Sequence, residues 1–207
     1  MAEQSQTGRF SQHFTMIRGI HLADFFTIAN GFCGVAAIFE AMKFLNTRDE
    51  KHAYLAALLI PLALVFDVLD GRVARWRHTA SALGRELDSL ADVISFGVAP
   101  AATAFAVGLN SRLDQVILIY FAVCGLSRLA RYNVTAESLS ASTGKVEYFE
   151  GAPIPTSVIP LGLLMLLFYR GDLYPANLFG LDFHWPAALF FISGCLMISK
   201  TIKIPKP

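Results

Sequence analysis

Six apolar segments limit what this chain can fold into, because most of them are long enough to cross a lipid bilayer. A helix needs roughly 20 apolar residues to span the hydrocarbon core, where only helices and closed barrels satisfy their own backbone hydrogen bonds. With 55% hydrophobic residues in 207 positions, the chain is too apolar for an ordinary soluble domain. The sequence therefore predicts an all-α integral membrane protein with six transmembrane helices. These are expected at about residues 25–45, 53–74, 88–109, 113–131, 154–169 and 185–202.

The segment before the first span has a different character. Its first residues are polar, and Phe10, Phe14 and Ile17 then recur at helical spacing between two arginines. This pattern is typical of a short amphipathic helix that lies on the membrane surface, and a tail without fixed structure is the alternative. We therefore divide the chain into an N-terminal tail with an interfacial helix (1–22) and a six-helix membrane domain (23–207). No apolar core of signal-peptide type precedes them, so a cleaved leader is not expected.

The distribution of lysine and arginine predicts the orientation in the membrane. Six spans place both termini on one side, and if that side is the cytoplasm, its segments hold twelve of the 17 basic residues. Loops rich in lysine and arginine remain in the cytoplasm. We expect a multi-pass protein of the cell membrane, inner or plasma, with both termini cytoplasmic. The net charge of +1 gives no indication of a nucleic-acid partner.

Four aspartates lie at the predicted cytoplasmic ends of the second and third spans. Asp67 and Asp70 are three residues apart, and Asp88 and Asp92 are four apart, so each pair shares one helix face. Carboxylates are costly in a membrane helix, and four of them facing one another would repel. A divalent metal bound by oxygen ligands would offset this repulsion. The spacing suits two hard cations close together, an arrangement that acts on phosphoryl groups.

Small residues accompany the acids. Gly71 and Ala74 continue the stripe of the first pair, and Gly84 stands four residues before Asp88, so a ligand can approach the backbone there. Arg75, beside the stripe, is suited to neutralising a phosphate. The alternative is that the acids pair with nearby arginines at the membrane interface. We consider it much less consistent with four acids at stripe spacing and small residues between them.

The whole pattern resembles the signature of the CDP-alcohol phosphotransferase family, D-x2-D-G-x2-A-R-x8-G-x3-D-x3-D. Members of that family have six transmembrane helices, are commonly homodimers and use a divalent metal. They transfer a substituted phosphoryl group from a CDP-linked donor to an alcohol and release CMP. Every fixed position of the signature is matched, by Asp67, Asp70, Gly71, Ala74, Arg75, Gly84, Asp88 and Asp92.

Further segments resemble the phosphatidylserine synthase branch of the family. They are D-S-L-A-D-V-I-S-F-G-V-A-P-A at 88–101 and shorter stretches at 23–34, 127–134 and 149–156. This resemblance implies CDP-diacylglycerol as the donor, L-serine as the acceptor, and phosphatidylserine and CMP as the products. It also implies Mg²⁺ or Mn²⁺ as the cofactor, with two ions, and a homodimer in the bilayer.

The resemblance also implies roles for individual residues. Asp67, Asp70 and Asp88 match metal ligands, and Asp92 matches the general base, with a further role as a ligand of the second metal. Near the end of the fourth span, a group of basic and amide side chains is either an anion site for serine or phosphate, or an ordinary positive-inside anchor. The nucleotide and donor site is implied at Thr27, Asn30, Gly71, Ala74, Arg75 and Gly84, and the anion site at Arg128, Arg131, Asn133 and Lys145.

Other functions remain open from the sequence. The acceptor can be another alcohol, such as glycerol phosphate, inositol phosphate or choline, and the donor can carry ether-linked chains. A divalent-cation transporter would also place acids within a membrane. Its pathway would need acids at depth in later spans, whereas these four cluster at one membrane face. A non-enzymatic scaffold would have no use for such a cluster.

Overall fold

The computed structural model describes residues 22–77, 82–141, 148–178, 181–199 and 203–205, and most of them are helical. The predicted interfacial helix within residues 9–22 falls outside this part of the chain, except for Leu22, where the first helix begins. The helices are α1 (Leu22–Thr47), α2 (Glu50–Arg77), α3 (Ala82–Asp92), α4 (Ala99–Val107), α5 (Arg112–Ala141), α6 (Val158–Arg170) and α7 (Ala187–Ile198).

Within the described residues, four helical segments are long and apolar enough to cross a membrane, which makes this a multi-pass membrane protein. They are Asp24–Thr47, Glu50–Val73, Leu83–Val107 and Arg112–Val134. Two apolar segments in the second half, Ile154–Arg170 and Ala187–Ile198, are shorter. The prediction of a helical membrane protein is therefore confirmed, whereas the count of six spans depends on these two short segments.

The helix that carries Asp88 begins earlier than expected. The sequence predicts a polar connection over 75–87, but α2 continues to Arg77 and α3 starts at Ala82. That boundary is wrong because Arg85 and its polar neighbours are good helix formers on one face of an amphipathic turn. A search for continuous apolar runs does not detect a helix of this kind.

A π-helical segment, Val93–Val98, joins α3 to α4, so 82–107 forms one helical rod. The segment begins directly after Asp92, and Ser95, Phe96 and Gly97 within it are buried. π-Helical turns are rare and frequently occur at functional sites. Here the segment lies against α1 and α5, in the middle of the helix assembly.

The first helix packs against both helices that carry the acids. It contacts α2 along its length and also α3, the π segment and α4. Alanines such as Ala37, Ala41, Ala56 and Ala63 are at most 3% exposed. Small side chains let membrane helices approach closely, since packing rather than hydrophobic burial drives their association. As a result, α1 is a shared support for the two ends that bear the acids.

The proline-rich start of the fifth predicted span is resolved into two elements. A 3₁₀ turn over Ile154–Ser157 contains Pro155, and α6 begins after it, with Pro160 as its third residue. Proline is tolerated in the first turn of a helix because its missing N–H has no partner there. The prolines therefore mark where α6 starts instead of breaking it.

The part of the chain that the structure describes contains four short strands that were not predicted. They are β1 (Tyr148–Glu150), β2 (Pro175–Leu178), β3 (Leu181–His184) and β4 (Lys203–Pro205). β1 pairs antiparallel with β4, and β2 pairs antiparallel with β3. Strands of three or four residues are too short for the alternation of apolar and polar side chains to identify them.

The β2–β3 hairpin is fixed to the start of α5 by a buried carboxylate. Asp114 Oδ1 accepts a hydrogen bond from His184 N at 3.1 Å, and Asp114 Oδ2 lies 2.7 Å from His184 Nδ1. Asp114 Oδ2 also accepts from Ser111 N, while Asp114 N donates to Ser111 Oγ. This reciprocal pair is a capping box at the helix N-terminus. Asp114 therefore connects the hairpin to the helix at the end of α5 away from Arg128 and Arg131.

Candidate active site

Three of the predicted acids come together where α2 and α3 meet. Asp67, Asp70 and Asp88 each offer one carboxylate oxygen, and these oxygens lie within 4.8 Å of one another. Asp70 is buried, with 6% of its surface exposed, and the other two are partly buried. The two stripes predicted from residue spacing therefore do face each other.

No ion pair within the described ranges neutralises the charges of this cluster. Asp92 lies close enough for its charge to interact with those of Asp67, Asp70 and Asp88. In the described part of the chain, no lysine, arginine or histidine lies within ion-pair distance of the four acids, because all ion pairs found there use Glu40, Asp49 or Asp114. The alternative in which the acids pair with arginines is not supported by these contacts.

One fully buried carboxylate oxygen of the cluster has no hydrogen-bond donor among the described residues. Asp88 Oδ1 is buried, and none of the described residues donates a hydrogen bond to it. A buried acceptor without a donor costs free energy, on the order of 1–3 kcal/mol and more when it is charged. Hard oxygen ligands at close range are the donor set that divalent Mg²⁺, Mn²⁺ or Ca²⁺ prefers. The cluster of Asp67, Asp70 and Asp88 thus fits a divalent cation.

The buried face of α1 orients two of the acids. Thr27 Oγ1 donates to Asp70 Oδ2 at 2.9 Å, and Asn30 Nδ2 donates to Asp92 Oδ1 at 3.0 Å. Thr27 and Asn30 are 3% and 0% exposed. The two residues predicted to approach the nucleotide therefore bind the acid side chains. Hydrogen bonds from a surrounding shell to ligating carboxylates fix their direction and tune their affinity for metal.

Two residues near this site escaped the sequence analysis. Ser95 is buried in the π segment, and its Oγ donates to Asn30 O at 2.9 Å. Asp24 is 9% exposed, and its negative charge repels that of Asp70. Asp24, Thr27 and Asn30 are each three residues apart, so polar residues recur on one face of an otherwise apolar helix. That spacing was a readable signal for Asp24, whereas Ser95 was indicated only as part of the family-like segment 88–101, with no role of its own.

The small residues of the signature lie beside the acids in sequence and differ in their surroundings. A Cβ built on Gly71 would meet no heavy atom within 4 Å, so open space adjoins the backbone there. Gly84 is partly buried, and Arg75 is exposed. Ala74 lies on α2, but its side chain is outside the part of the structure that can be described.

The predicted anion site is divided between several contacts. The Arg128 guanidinium lies 5.8 Å from the centre of the Tyr132 ring. Its Nε has no hydrogen-bond partner among the described residues. The positive charge of Arg128 and the negative charge of Asp92 attract each other. Arg131 Nη1 donates to Ile198 O at 3.4 Å. Lys145 lies outside the described residues.

Asn133, in the C-terminal third of α5, joins that helix to the second half of α3. Its Nδ2 donates to Ser89 Oγ at 3.0 Å, and Ser89 Oγ donates to Asn133 Oδ1 at 3.2 Å. A weaker contact runs from Asn133 Nδ2 to Glu86 at 3.4 Å. Ser89 follows Asp88 directly, so these hydrogen bonds connect the segment that carries Arg128 and Arg131 to the acid cluster.

Comparison with known proteins assigns the family. Residues 20–198 match the family described as CDP-alcohol phosphatidyltransferase. The chain belongs to the CDP-alcohol phosphatidyltransferase family. The resemblance found in the sequence is thereby confirmed, and the matched region contains all four acids together with α1 and the π segment.

Several relatives share the name CDP-diacylglycerol–serine O-phosphatidyltransferase. The chain is 47% identical to CDP-diacylglycerol–serine O-phosphatidyltransferase of Saccharomyces cerevisiae, over 94% of its own length and 74% of that protein. Proteins of the same name from Methanocaldococcus jannaschii and Helicobacter pylori are 35% and 40% identical. Those alignments cover 93% and 69% of this chain, and 78% and 56% of the relatives. The chain thus spans just over half of the Helicobacter pylori protein and about three quarters of the other two.

Proposed function

We propose that this protein transfers the phosphatidyl group of CDP-diacylglycerol to the hydroxyl of L-serine, giving phosphatidylserine and CMP. The observation that carries the proposal is the shared name of relatives that are 47% and 35% identical over more than nine tenths of the chain. The acid cluster between α2 and α3 supports it, because phosphoryl transfer needs stabilisation of negative charge.

Asp67, Asp70 and Asp88 would hold a divalent cation, and Asp92 would also ligate a second one. We propose Mg²⁺ or Mn²⁺, in two copies. When bound, these ions would supply Lewis-acid stabilisation of the charge on the diphosphate. Thr27 and Asn30 support the same site from α1, since each donates a hydrogen bond to one of the acids.

Asp92 is the general base in this proposal. It takes the proton of the serine hydroxyl while the hydroxyl oxygen forms a bond to the phosphorus that carries diacylglycerol. The bond between that phosphorus and the bridging oxygen breaks, and its electron pair leaves with CMP. A hydrogen bond from Asn30 Nδ2 holds one carboxylate oxygen of Asp92 and leaves the other available for the proton.

The donor would lie along the small residues of α2 and α3. Open space beside Gly71 supports a close approach of the CDP group to the backbone. Ala74, Arg75 and Gly84 complete this site in the proposal, with Arg75 neutralising phosphate charge. Thr27 and Asn30 bind the acids, so in this proposal they would contact the nucleotide from beside the acid cluster.

The acceptor would be held by side chains in the C-terminal half of α5. Arg128 is partly buried, interacts electrostatically with Asp92 and has a free Nε among the described residues, which suits binding of the serine carboxylate. Arg131, Asn133 and Lys145 are assigned to the same anion site by their positions in the sequence. Asn133 supports this assignment through its hydrogen bonds to Ser89, beside Asp88.

We also propose how the protein sits in the cell. Residues 1–22 form a tail and an interfacial helix, and residues 23–207 form the catalytic membrane domain with six spans. The active site faces the cytoplasm, where soluble serine meets a lipid donor, and both termini are cytoplasmic. The working unit is a homodimer in the cell membrane, inner or plasma.

An acceptor screen tests the proposed reaction. Purified protein is mixed with CDP-diacylglycerol, Mg²⁺ or Mn²⁺, and one acceptor at a time, namely serine, glycerol phosphate, inositol phosphate or choline. CMP and the lipid product are both measured. We expect CMP and phosphatidylserine to form with serine. Turnover with another acceptor but not with serine would show that the assignment within the family is wrong.

A further inference from the structure

The side-chain amide of Asn30 is bound through its nitrogen to Asp92, while its oxygen receives no hydrogen bond from a described residue. Asn30 is fully buried, and its Nδ2 donates to Asp92 Oδ1 at 3.0 Å. Its Oδ1 has no hydrogen-bond partner among the described residues. The last side-chain torsion angle of an asparagine is only weakly restricted. One hydrogen bond from Nδ2 therefore does not by itself fix the orientation of the Asn30 amide. The direction of the Asn30 side chain therefore depends on where the backbone of α1 places it.

Ser95 holds that backbone. Its side chain is fully buried, and its Oγ donates to Asn30 O at 2.9 Å. In an α-helix this carbonyl also accepts the hydrogen bond of the residue four positions later, which is Gly34. Asp92 and Ser95, three residues apart in one helical rod, thus bind the same asparagine. One binds its side chain and the other its backbone.

Gly34 makes this close approach possible. A Cβ built on Gly34 would lie 2.5 Å from Ser95 Oγ and 2.8 Å from Ser95 Cα, well inside the optimal separation of non-bonded atoms. Gly31, on the same helix, faces the rod at ordinary spacing, since its added Cβ would lie 3.5 Å from Ala91 Cβ. The tight contact is therefore a property of the Gly34–Ser95 pair and does not extend along the whole helix.

We propose that Ser95 and Gly34 are positioning residues for the transfer reaction. Together they fix Asn30 and, through it, the Asp92 carboxylate at the place where the proton of the attacking alcohol is taken. This inference rests on the proposed role of Asp92 as the general base. Neither Ser95 nor Gly34 touches a substrate, so both act on the reaction only through Asn30 and Asp92.

The serine hydroxyl is tested by Ser95→Ala, which removes the donor and retains the close approach of the helices. Loss of one buried hydrogen bond changes an equilibrium by about tenfold, and misplacement of a catalytic group reduces the rate similarly or more. We expect kcat to fall about tenfold while KM for serine stays unchanged. The matched control is Thr103→Val, because Thr103 is a buried hydroxyl of the same rod whose Oγ1 has no partner among the described residues. Its kcat should equal that of the wild type.

The close approach is tested by Gly34→Ala, with Gly31→Ala as the control on the same helix. The added methyl group of Gly34→Ala must move α1 away from Ser95 and break the hydrogen bond to Asn30 O. We expect kcat to fall at least as far as in Ser95→Ala. In the double variant, Ser95→Ala should cause little further loss, because both changes disrupt one contact. If Gly34→Ala does not fold, the comparison of Ser95→Ala with Thr103→Val decides alone.

Three results would overturn this inference while the wild type is active with serine. They are an unchanged kcat in Ser95→Ala, a raised KM for serine in that variant, and losses in the double variant that simply multiply. If the wild type uses another alcohol, the proposed acceptor is wrong, and the same variants measured with that alcohol decide the positioning role. A wild type that releases CMP with no alcohol contradicts the proposed function and this inference together.

Discussion

The negative charges of the Asp67, Asp70 and Asp88 carboxylates repel one another. At the scale of single residues, this is the feature that most directly indicates a cation site. Replacing any of the three with asparagine keeps the shape and removes the charge. Loss of an outer hydrogen-bond partner alone weakens metal sites about 10–100-fold, so loss of a ligand should reduce turnover by about a hundredfold or more. CMP release at saturating Mg²⁺ is the measurement.

Asp172→Asn is the control for these three variants. Asp172 is an exposed acid after α6 and is remote from the cluster in sequence, so its replacement should not change turnover. Full activity in Asp67→Asn, Asp70→Asn or Asp88→Asn would remove that residue from the proposed metal ligands.

Asp92→Asn separates chemistry from binding. An asparagine accepts no proton, and a general base contributes about 10²–10⁴-fold to a rate, so kcat should fall at least about a hundredfold. Affinity for CDP-diacylglycerol, measured by titration of the purified protein, should change little. An equal loss of donor affinity would instead make Asp92 mainly a ligand.

Thr27→Val tests the support that α1 gives to the cluster. Valine is close to threonine in shape but cannot donate to Asp70 Oδ2. Outer partners of metal ligands typically change metal affinity about 10–100-fold, so the Mg²⁺ concentration for half-maximal activity should rise about tenfold. Thr103→Val, which removes a hydroxyl elsewhere in the membrane domain, should leave it unchanged. A Thr27→Val protein with the Mg²⁺ dependence of the wild type would contradict this role.

The four acids were predictable as residues because their spacing survives in regular helices. Asp67 and Asp70 are three apart within α2, and Asp88 and Asp92 are four apart within α3. Ser95 was not predictable, since a π-helical segment begins directly after Asp92 and changes the direction of every side chain within it. A helical periodicity of 3.6 residues gives no indication of such a change.

At the scale of elements, the ends of helices were the hardest feature to predict. Long apolar runs identified the middle of α1, α2 and α5, whereas α3 starts in a stretch with only one apolar face. α7 ends at Ile198, before the predicted boundary near residue 202. The strand pairings depend on contacts between distant parts of the chain, such as Phe149 with Ile204, which local sequence does not encode.

The hairpin formed by β2 and β3 offers a test at this scale. Asp114 accepts hydrogen bonds from two backbone N–H groups, one on each of its carboxylate oxygens. In Asp114→Asn the side-chain NH₂ replaces one of these oxygens, so it faces an N–H donor whichever way the amide is turned. We expect a loss of about 1–3 kcal/mol in stability, seen as a lower melting temperature in detergent. Activity per folded molecule should persist, because Asp114 lies far along α5 from Arg128.

Asp182→Asn is the matched control for Asp114→Asn. Asp182 is on the same hairpin but exposed, so its amide can be solvated and the melting temperature should not change. A melting temperature of Asp114→Asn equal to that of the wild type would show that this carboxylate does not hold the hairpin in place.

At the scale of the whole molecule, the orientation in the membrane decides which substrates can reach the acids. The cysteines of the chain, Cys33, Cys124 and Cys195, all lie within apolar helices, so they should not react with a membrane-impermeant thiol reagent. Thr79→Cys, between α2 and α3, should be labelled only from the cytoplasmic face. Asn110→Cys, between α4 and α5, should be labelled only from the opposite face. Labelling of Thr79→Cys from outside would reverse the proposed topology.

The membrane class was predictable at this scale because apolar length is a property of sequence alone. The number of spans is harder to predict, since Ile154–Arg170 and Ala187–Ile198 are shorter than a typical span. Short helices cross a bilayer only if it thins or if flanking residues reach the interface. Trp185, which is 49% exposed just before α7, is suited to such an interfacial position.

The most direct test of the central claim follows one atom through the reaction. Purified protein receives CDP-diacylglycerol, Mg²⁺ and serine whose hydroxyl carries a heavy oxygen isotope, and both products are analysed by mass spectrometry. We expect the isotope to enter phosphatidylserine, CMP to stay unlabelled, and the two products to form in equal amounts. Release of CMP without labelled phosphatidylserine would contradict the transfer of the phosphatidyl group to the serine hydroxyl.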